Sequence, residues 1–344
     1  MIERNIVEKS TVALTKDDFI SDQMVKWCPG CGAHAILTAV GKIFPDIGYK
    51  KENFVFVSGI GCSSRFPYYV NTYGFHGIHG RALSIATGVK LANPKLSVWV
   101  ATGDGDSMAI GGNHFIHTIR RNIGLNVMLF NNQIYGLTKG QYSPTTPMGA
   151  ITKTSPHGTI EQPFVTAGLV LGAQGTFFAR VPDNNIQLMT KVMYEASQHD
   201  GTSVVEILQN CIIFADKVHA DVVARDVKDE RQLILKHDKP MVFGKNNDKG
   251  IVLDSNKLRV VKIGEDGVTM DDILVHDQFN PDPGLHRMLG RMAPPEFPVA
   301  MGVIRSAKTN TYDQLFETQI KRAKQKANIQ CTDDLLNSGD TWEV

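Results

Sequence analysis

Five short apolar runs, each bounded by polar or glycine-rich sequence, dominate the first two thirds of the chain: FVFVS (54–58), LSVWVA (96–101), LNVMLF (125–130), TFFARV (176–181) and SVVEIL (203–208). Each is too short for a buried helix and is rich in β-branched and aromatic residues, which marks strands covered on both faces. Between them the period becomes helical over 81–91, 107–122, 165–171 and 186–198. An earlier helix is expected over 33–44, where Ile36, Leu37, Val40, Ile43 and Phe44 recur at helical spacing and Pro45 ends the run. Buried strands alternating with amphipathic helices specify an α/β fold: a doubly wound, mostly parallel sheet with helices on both faces.

The 344 residues, 42% of them hydrophobic, suffice for a sizeable core. Residues 1–26 read as a polar N-terminal arm and 27–235 as the α/β domain. Residues 236–344 turn toward Asp, Lys, Asn and Pro and read as a C-terminal extension, with a hairpin over 249–264 turning at 254–256 and a charged helix near 313–325. Thirty-six basic against 35 acidic residues leave a formal charge of +1, which gives no electrostatic case for nucleic acid or an anionic membrane. No stretch approaches the ~18 apolar residues that span a bilayer, and MIERNIVEKS has no apolar core of an export signal, so a cytoplasmic location is expected. Five cysteines at uneven spacing speak for ligands or spare thiols rather than a disulfide framework.

Two of those cysteines lie in WCPGCGAH (27–34). A Cys-x-x-Cys pair serves half of a zinc site, a dithiol redox pair, part of an iron–sulfur cluster, or an ordinary Pro/Gly turn, and the pair alone leaves all four open.

Parallel sheets bind ligands beyond the carboxyl ends of their strands. The segments that follow the strands here are GIGCSSR (59–65), TGDGDS (102–107), NNQIYGLTKGQ (131–141) and QNC (209–211), four polar, Gly-rich or cysteine-bearing loops at one sheet edge. GDG and NN, separated by one helix and one strand, have a joint use. Asp104 supplies a carboxylate oxygen, Asn132 an amide oxygen and Ile134 a backbone carbonyl, three hard ligands for an octahedral Mg²⁺ that also holds a diphosphate. Gly103 and Gly105 let a diphosphate approach the backbone, and a helix starting near Ser107 turns free N–H groups toward it.

GDG followed by NN resembles the signature of thiamine diphosphate enzymes. The longer string GDGDSMAIGGNHFIHTIRRN…NNQIYGLTKGQYSPTTP, with WCPGCG, SGIGCSS and HGIHGRALSIATGVKLANP, resembles the β subunit of the 2-oxoacid:ferredoxin oxidoreductases, and the likeness runs over roughly residues 20–215. The resemblance implies a thiamine diphosphate-binding fold, with thiamine diphosphate, Mg²⁺ and a 4Fe–4S cluster as cofactors. It implies that Cys28, Cys31, Cys62 and Cys211 hold the cluster; Cys331, in a charged C-terminal segment, reads as a free thiol. The cofactor-facing loops it implies are Ile60, Gly61, Cys62 and Ser63 after the first strand, and His79, Gly80 and Arg81 in HGIHGR. Gly103–Asp106 and the Asn132, Ile134, Gly136, Leu137 and Thr138 segment complete them. Asp106 also reads as a helix N-cap, and His114 and His117, three apart on one helix, as packing residues.

The implied reaction is coenzyme A-dependent oxidative decarboxylation of a 2-oxoacid, or its reverse, with electrons leaving one at a time through the cluster to ferredoxin. An α subunit is the implied partner, supplying the second thiamine-facing domain and the activating glutamate. Lys139, just past the magnesium ligands, offers a cation for the distal carboxylate of 2-oxoglutarate, and Arg65 is a second candidate. 2-Oxoglutarate is therefore the expected substrate, with pyruvate or a broad 2-oxoacid range as the alternative. A reading from another class is a zinc-stabilised nucleotide-binding module without catalysis.

Overall fold

A computed structural model describes residues 7–329 and 331–342. Its centre is an eight-stranded sheet. The strands β1 (Phe54–Ser58), β2 (Tyr73–His76), β3 (Ser97–Gly103), β4 (Leu125–Asn131), β5 (Phe177–Pro182) and β6 (Ser203–Leu208) are mutually parallel, in the spatial order β2–β1–β3–β4–β6–β5. The five runs expected from sequence are all strands of this sheet. Two further strands extend it past β5: Val299–Ser306, antiparallel to β5, and β7 (Gln232–Ile234), parallel to Val299–Ser306.

Alternate side chains along each strand feed two separate cores, which is why the runs are apolar throughout. Phe54, Phe56, Trp99, Met128 and Phe130 face one side, where they meet helices α1 (Ala33–Ile47) and, further along the sheet, α7 (Ile186–Ser197). Val55, Val57, Val98, Val100 and Leu129 face the other, against α3 (Ala82–Ala92), α5 (Gly112–Arg121) and α6 (Thr166–Gly172). Fully burying one such side chain contributes about 1.5–3 kcal/mol, so the strand–helix alternation is enforced from both faces.

The structure departs from the sequence expectations in four places. Helix α1 runs through Pro45 to Ile47; the proline sits in the last turn, where a missing N–H costs least, and Gly48 at φ 74° ends the helix by donating to the Phe44 carbonyl. The helix expected over 107–122 is two, α4 (Asp104–Met108) and α5, parted at 109–111, where Gly111 lies so close to Gly80 and the Asp106 carbonyl that no side chain fits. Strand β2 went unseen because YGFH is short, contains a glycine and is exposed along its whole length. Val299–Ser306 also went unseen, so part of the segment after 236 is built into the central sheet.

The hairpin is present as Lys249–Asp254 paired with Lys257–Lys262, joined at its edge by Val242–Phe243. The late charged helix is Tyr312–Lys326. No described helix is long and apolar enough to cross a membrane.

Candidate active site

Because β1, β3, β4 and β6 are parallel, their carboxyl ends deliver their loops to one edge of the sheet, where a cleft of about 90 Å³ opens. Its walls include Ile60, Gly61, Cys62 and Ser63 from the β1 loop, His79 from the β2 loop, and Gly103, Asp104, Gly105 and Asp106 from α4. Asn132, Ile134, Gly136, Leu137 and Thr138 from the β4 loop complete it. Of the expected cofactor residues, Gly80 and Arg81 do not line it. Gly80 is tied beneath it, and Arg81 caps α3, half-buried.

Asp104 is the most constrained group in the cleft. It is 2% exposed, and its Oδ2 accepts from the Ser143 and Thr145 hydroxyls, each at 2.5 Å. Burial pushes its carboxyl up to about 6, and the two hydroxyl bonds oppose that rise. The single Thr145 hydroxyl proton is shared between Asp104 Oδ2 and Asn131 Oδ1, 2.9 Å away, and Asn131 Nδ2 donates to Glu206 Oε1 at 2.7 Å. Glu206 in turn holds Arg180 at 2.6 Å across the β5–β6 register. Burial alone would raise the Glu206 carboxyl, but the Arg180 charge, with hydrogen bonds from Arg180 and Asn131, holds it below its ordinary value. A buried chain of partnered groups thus runs from the ion pair in the sheet to the oxygen of Asp104. Sequence reasoning missed Ser143 and Thr145; the hydroxyl-rich SPTTP segment was the available signal.

Two expectations about GDGDS are corrected. The helix does not begin near Ser107; α4 starts at Asp104 with Gly103 as its cap, so Asp106 lies inside its first turn and is not an N-cap. Asp106 instead gathers loops: Oδ1 accepts from the backbone N–H of Ile60 at 3.1 Å and of Gly80 at 2.8 Å, and Oδ2 accepts from Thr102 Oγ1 at 2.9 Å. Gly105 has a packing reason for its missing side chain, since a Cβ there would stand 2.2 Å from the Tyr135 ring. At Gly103 the same test meets nothing closer than 3.8 Å, leaving open approach to the backbone.

The four cysteines expected to act together converge. Trp27 anchors the Cys28–Cys31 turn by donating its indole N–H to the Cys62 carbonyl at 2.7 Å. Gly32 N–H donates to the Asn210 carbonyl at 3.4 Å, which ties that turn to the Cys211 loop. The Sγ atoms of Cys211 and Cys62 lie 3.3 and 3.7 Å from the point where a Cβ on Gly136 would stand. Burial raises the thiol of Cys31, and that of Cys62 to about 11, with the other cysteine sulfurs adding to both. Arg65, half-buried, pulls Cys62 the other way. Such thiols bind metal as thiolates, so loading them expels protons. Among the described residues no group of three or more His, Cys, Asp or Glu side chains is arranged to hold a metal ion.

Lys139 and Arg65 do not line the cleft. Lys139 is exposed in the β4 loop, in the left-handed region at φ 78°. His114, half-buried, and His117, exposed, lie on α5 and were expected to serve packing and hydrogen bonding; neither lines the cleft. Cys331 is exposed, with a free thiol. Two buried residues beside the cysteines were not among the expected site residues, although Gln209 lies in the QNC segment that follows β6. Asp183 Oδ2 accepts from the Asn210 N–H at 2.7 Å, and Gln209 Nε2 donates to Cys31 Sγ at 3.5 Å.

Residues 59–207 match the thiamine pyrophosphate enzyme C-terminal TPP binding domain. The chain is 46% identical over 330 residues to a 2-oxoglutarate oxidoreductase subunit KorB of Mycobacterium tuberculosis, covering 95% of this chain and 88% of that protein. It is 46% identical over 196 residues to a 2-oxoglutarate synthase subunit KorB of Archaeoglobus fulgidus, covering 56% of this chain and 73% of that one. A solved 2-oxoglutarate:ferredoxin oxidoreductase from Magnetococcus marinus, with 2-oxoglutarate, coenzyme A and succinyl-CoA bound, superposes with a TM-score of 0.77 at 29% identity. The match spans 97% of this chain and all of that one.

Proposed function

Because the chain belongs to the β subunits of the 2-oxoacid:ferredoxin oxidoreductase family, we propose that it carries the diphosphate side of a thiamine site and a 4Fe–4S cluster for coenzyme A-dependent oxidation of 2-oxoglutarate, with ferredoxin as acceptor. The observation that carries this reading is the position of Cys62: it lines the cleft and also stands with Cys211 around Gly136. A cluster held there has an edge against the cofactor.

The donor set fits both groups. Asp104, Asn132 and the Ile134 carbonyl are hard oxygens in one cleft, suited to Mg²⁺ with a diphosphate. A zinc ion holds each thiolate at ~2.3 Å, which demands four sulfurs in tight contact. A cluster sets its irons between the sulfurs and accepts a wider spacing, and, besides burial, Cys31, Cys211 and Cys28 all lie near enough to Cys62 to push its thiol up. When bound, thiamine diphosphate supplies the carbon chemistry and the cluster a one-electron sink.

The chain's own residues bind, orient and shield. Ser143 and Thr145 fix the buried Asp104 carboxylate through Oδ2, so holding a cation at its other oxygen needs little rearrangement. Asp106 fixes the β1 and β2 loops against α4 and so sets the cleft's width. Tyr135, donating to the Gly105 carbonyl at 3.2 Å, holds the β4 loop against α4. Lys139 is assigned to the distal carboxylate of 2-oxoglutarate and Arg65 to the field at Cys62.

A second wall is required. About 90 Å³ is well under the ~300 Å³ of an ordinary small-molecule site. Exposed Phe75, Ile78, Ile110 and Leu137, together with the uncovered edge strand β2, offer an apolar rim for the α subunit.

Co-expression with an α subunit, followed by ferredoxin reduction with a panel of 2-oxoacids and coenzyme A, tests the proposal. Reduction with 2-oxoglutarate in clear preference to pyruvate is expected; activity with pyruvate alone rejects the substrate, and none with any oxoacid rejects the reaction.

A further inference from the structure

Gln209 directly follows β6 and is 2% exposed, yet reaches the lining of the cleft. Its backbone N–H donates to the Asn131 carbonyl at 3.0 Å, which fixes where the side chain starts. That side chain makes two bonds. Oε1 accepts from Asn132 Nδ2 at 3.4 Å, and Nε2 donates to Cys31 Sγ at 3.5 Å. A third bond sets the direction of both amides: the Ile134 N–H donates to Asn132 Oδ1 at 3.2 Å. Asn132 therefore offers only its NH₂ to Gln209, which must answer with Oε1 and leave its own NH₂ for the sulfur.

We propose that Gln209 is a positioning residue that couples the metal–diphosphate site to the cluster, making the cluster a better electron acceptor when the cofactor is in place. The inference rests on the cluster and metal assignments proposed above. An N–H donated to a ligating thiolate disperses its negative charge and favours the more reduced, more negative cluster. A cation at Asn132 Oδ1 draws density through that amide and makes its NH₂ a stronger donor to Gln209. Gln209 Nε2 then becomes a stronger donor to Cys31, because hydrogen-bond chains polarise cooperatively. The consequence is ordering: electrons find their exit most readily from a loaded site.

The test is an EPR-monitored redox titration of the anaerobic αβ complex, with and without Mg²⁺ plus thiamine diphosphate and without oxoacid. In the wild type, loading is expected to raise the ratio of reduced to oxidised cluster severalfold at fixed potential. Gln209→Met keeps the length but lacks the N–H; it should lower that ratio severalfold and abolish the response to loading. Gln209→Glu keeps the acceptor for Asn132 and loses the donor to sulfur, so it should shift the ratio the same way, and it carries the test if the methionine variant holds no cluster. If neither variant holds one, Gln209 is needed to build the cluster and the coupling role is overturned. A wild-type ratio indifferent to loading, or a variant with an intact cluster and the wild-type ratio, overturns the proposal. Wild-type protein without any cluster signal refutes instead the assignment on which it rests.

Discussion

The sulfurs of Cys62 and Cys211, carried by loops at the ends of different strands, meet at the missing side chain of Gly136, 3.7 and 3.3 Å from where its Cβ would stand. Gly136 also lines the cleft, so the same atom-sized gap separates the proposed cofactor from the proposed cluster.

Filling that gap should displace the cluster before it harms the fold. Gly136→Val is expected to cut iron and acid-labile sulfide in anaerobically purified protein about tenfold or more, the scale on which altered surroundings weaken metal sites. Far-UV circular dichroism should stay unchanged. Full iron content in this variant would place the cluster elsewhere.

Much of this was legible in the sequence. The five buried strands announce themselves because burial on both faces demands unbroken apolar runs, and the cleft follows from what sits after each of them. Strand β2 was illegible since it is short, contains a glycine and is exposed along its length, so it lacks the apolar run that marks a buried strand. Val299–Ser306 carries an apolar run, VAMGVI, as clear as the other five, but it lies outside the βα alternation and enters antiparallel beside β5. Within the site, charged and cysteine ligands carry a spacing signal; Ser143, Thr145 and Gln209 act through hydrogen bonds made only by folding, and no spacing rule reveals them. Asp106 was misassigned for the same reason: its partners, Ile60 and Gly80, are far away in the chain.

Asp104 should cost the metal-free chain stability. Its folded carboxyl titrates near 6 instead of at its ordinary 3.8, so its favourable contribution is complete below about pH 4 and is lost as pH rises through 6. Asp104→Asn copies the neutral form, and at pH 7.5 without metal it should be more stable than wild type by about 1–3 kcal/mol in urea. The same variant should lose Mg²⁺-dependent thiamine diphosphate binding, measured by calorimetry. In the wild type that binding should weaken as pH falls through 6, where the carboxyl protonates. A variant both less stable and able to bind would remove Asp104 from the ligand set.

Arg180 should matter to the site without touching it. Arg180→Met leaves Glu206 buried and uncompensated, and is expected to cost about 3–5 kcal/mol in guanidinium unfolding. Arg180→Met with Glu206→Leu should recover much of that loss, since no charge then remains buried. If the double variant is as unstable as the single one, packing rather than the ion pair supports the β5–β6 join.

Lys139 occupies left-handed backbone, so Lys139→Gly removes its charge while relieving the conformation. The ratio of kcat/KM for 2-oxoglutarate over pyruvate should fall by about 10–100-fold, the scale of one charge-assisted pair. An unchanged ratio would retire Lys139 as the carboxylate partner.

The central claim is that Cys28, Cys31, Cys62 and Cys211 hold an electron-accepting cluster against the cofactor cleft. Addition of 2-oxoglutarate and coenzyme A to the anaerobic αβ complex, frozen within one turnover and read by EPR, tests it most directly. The account predicts brown protein in which a reduced 4Fe–4S signal develops with substrate and is absent from a Cys211→Ser variant. Colourless protein with one zinc per chain, or a cluster that substrate leaves oxidised, would contradict it.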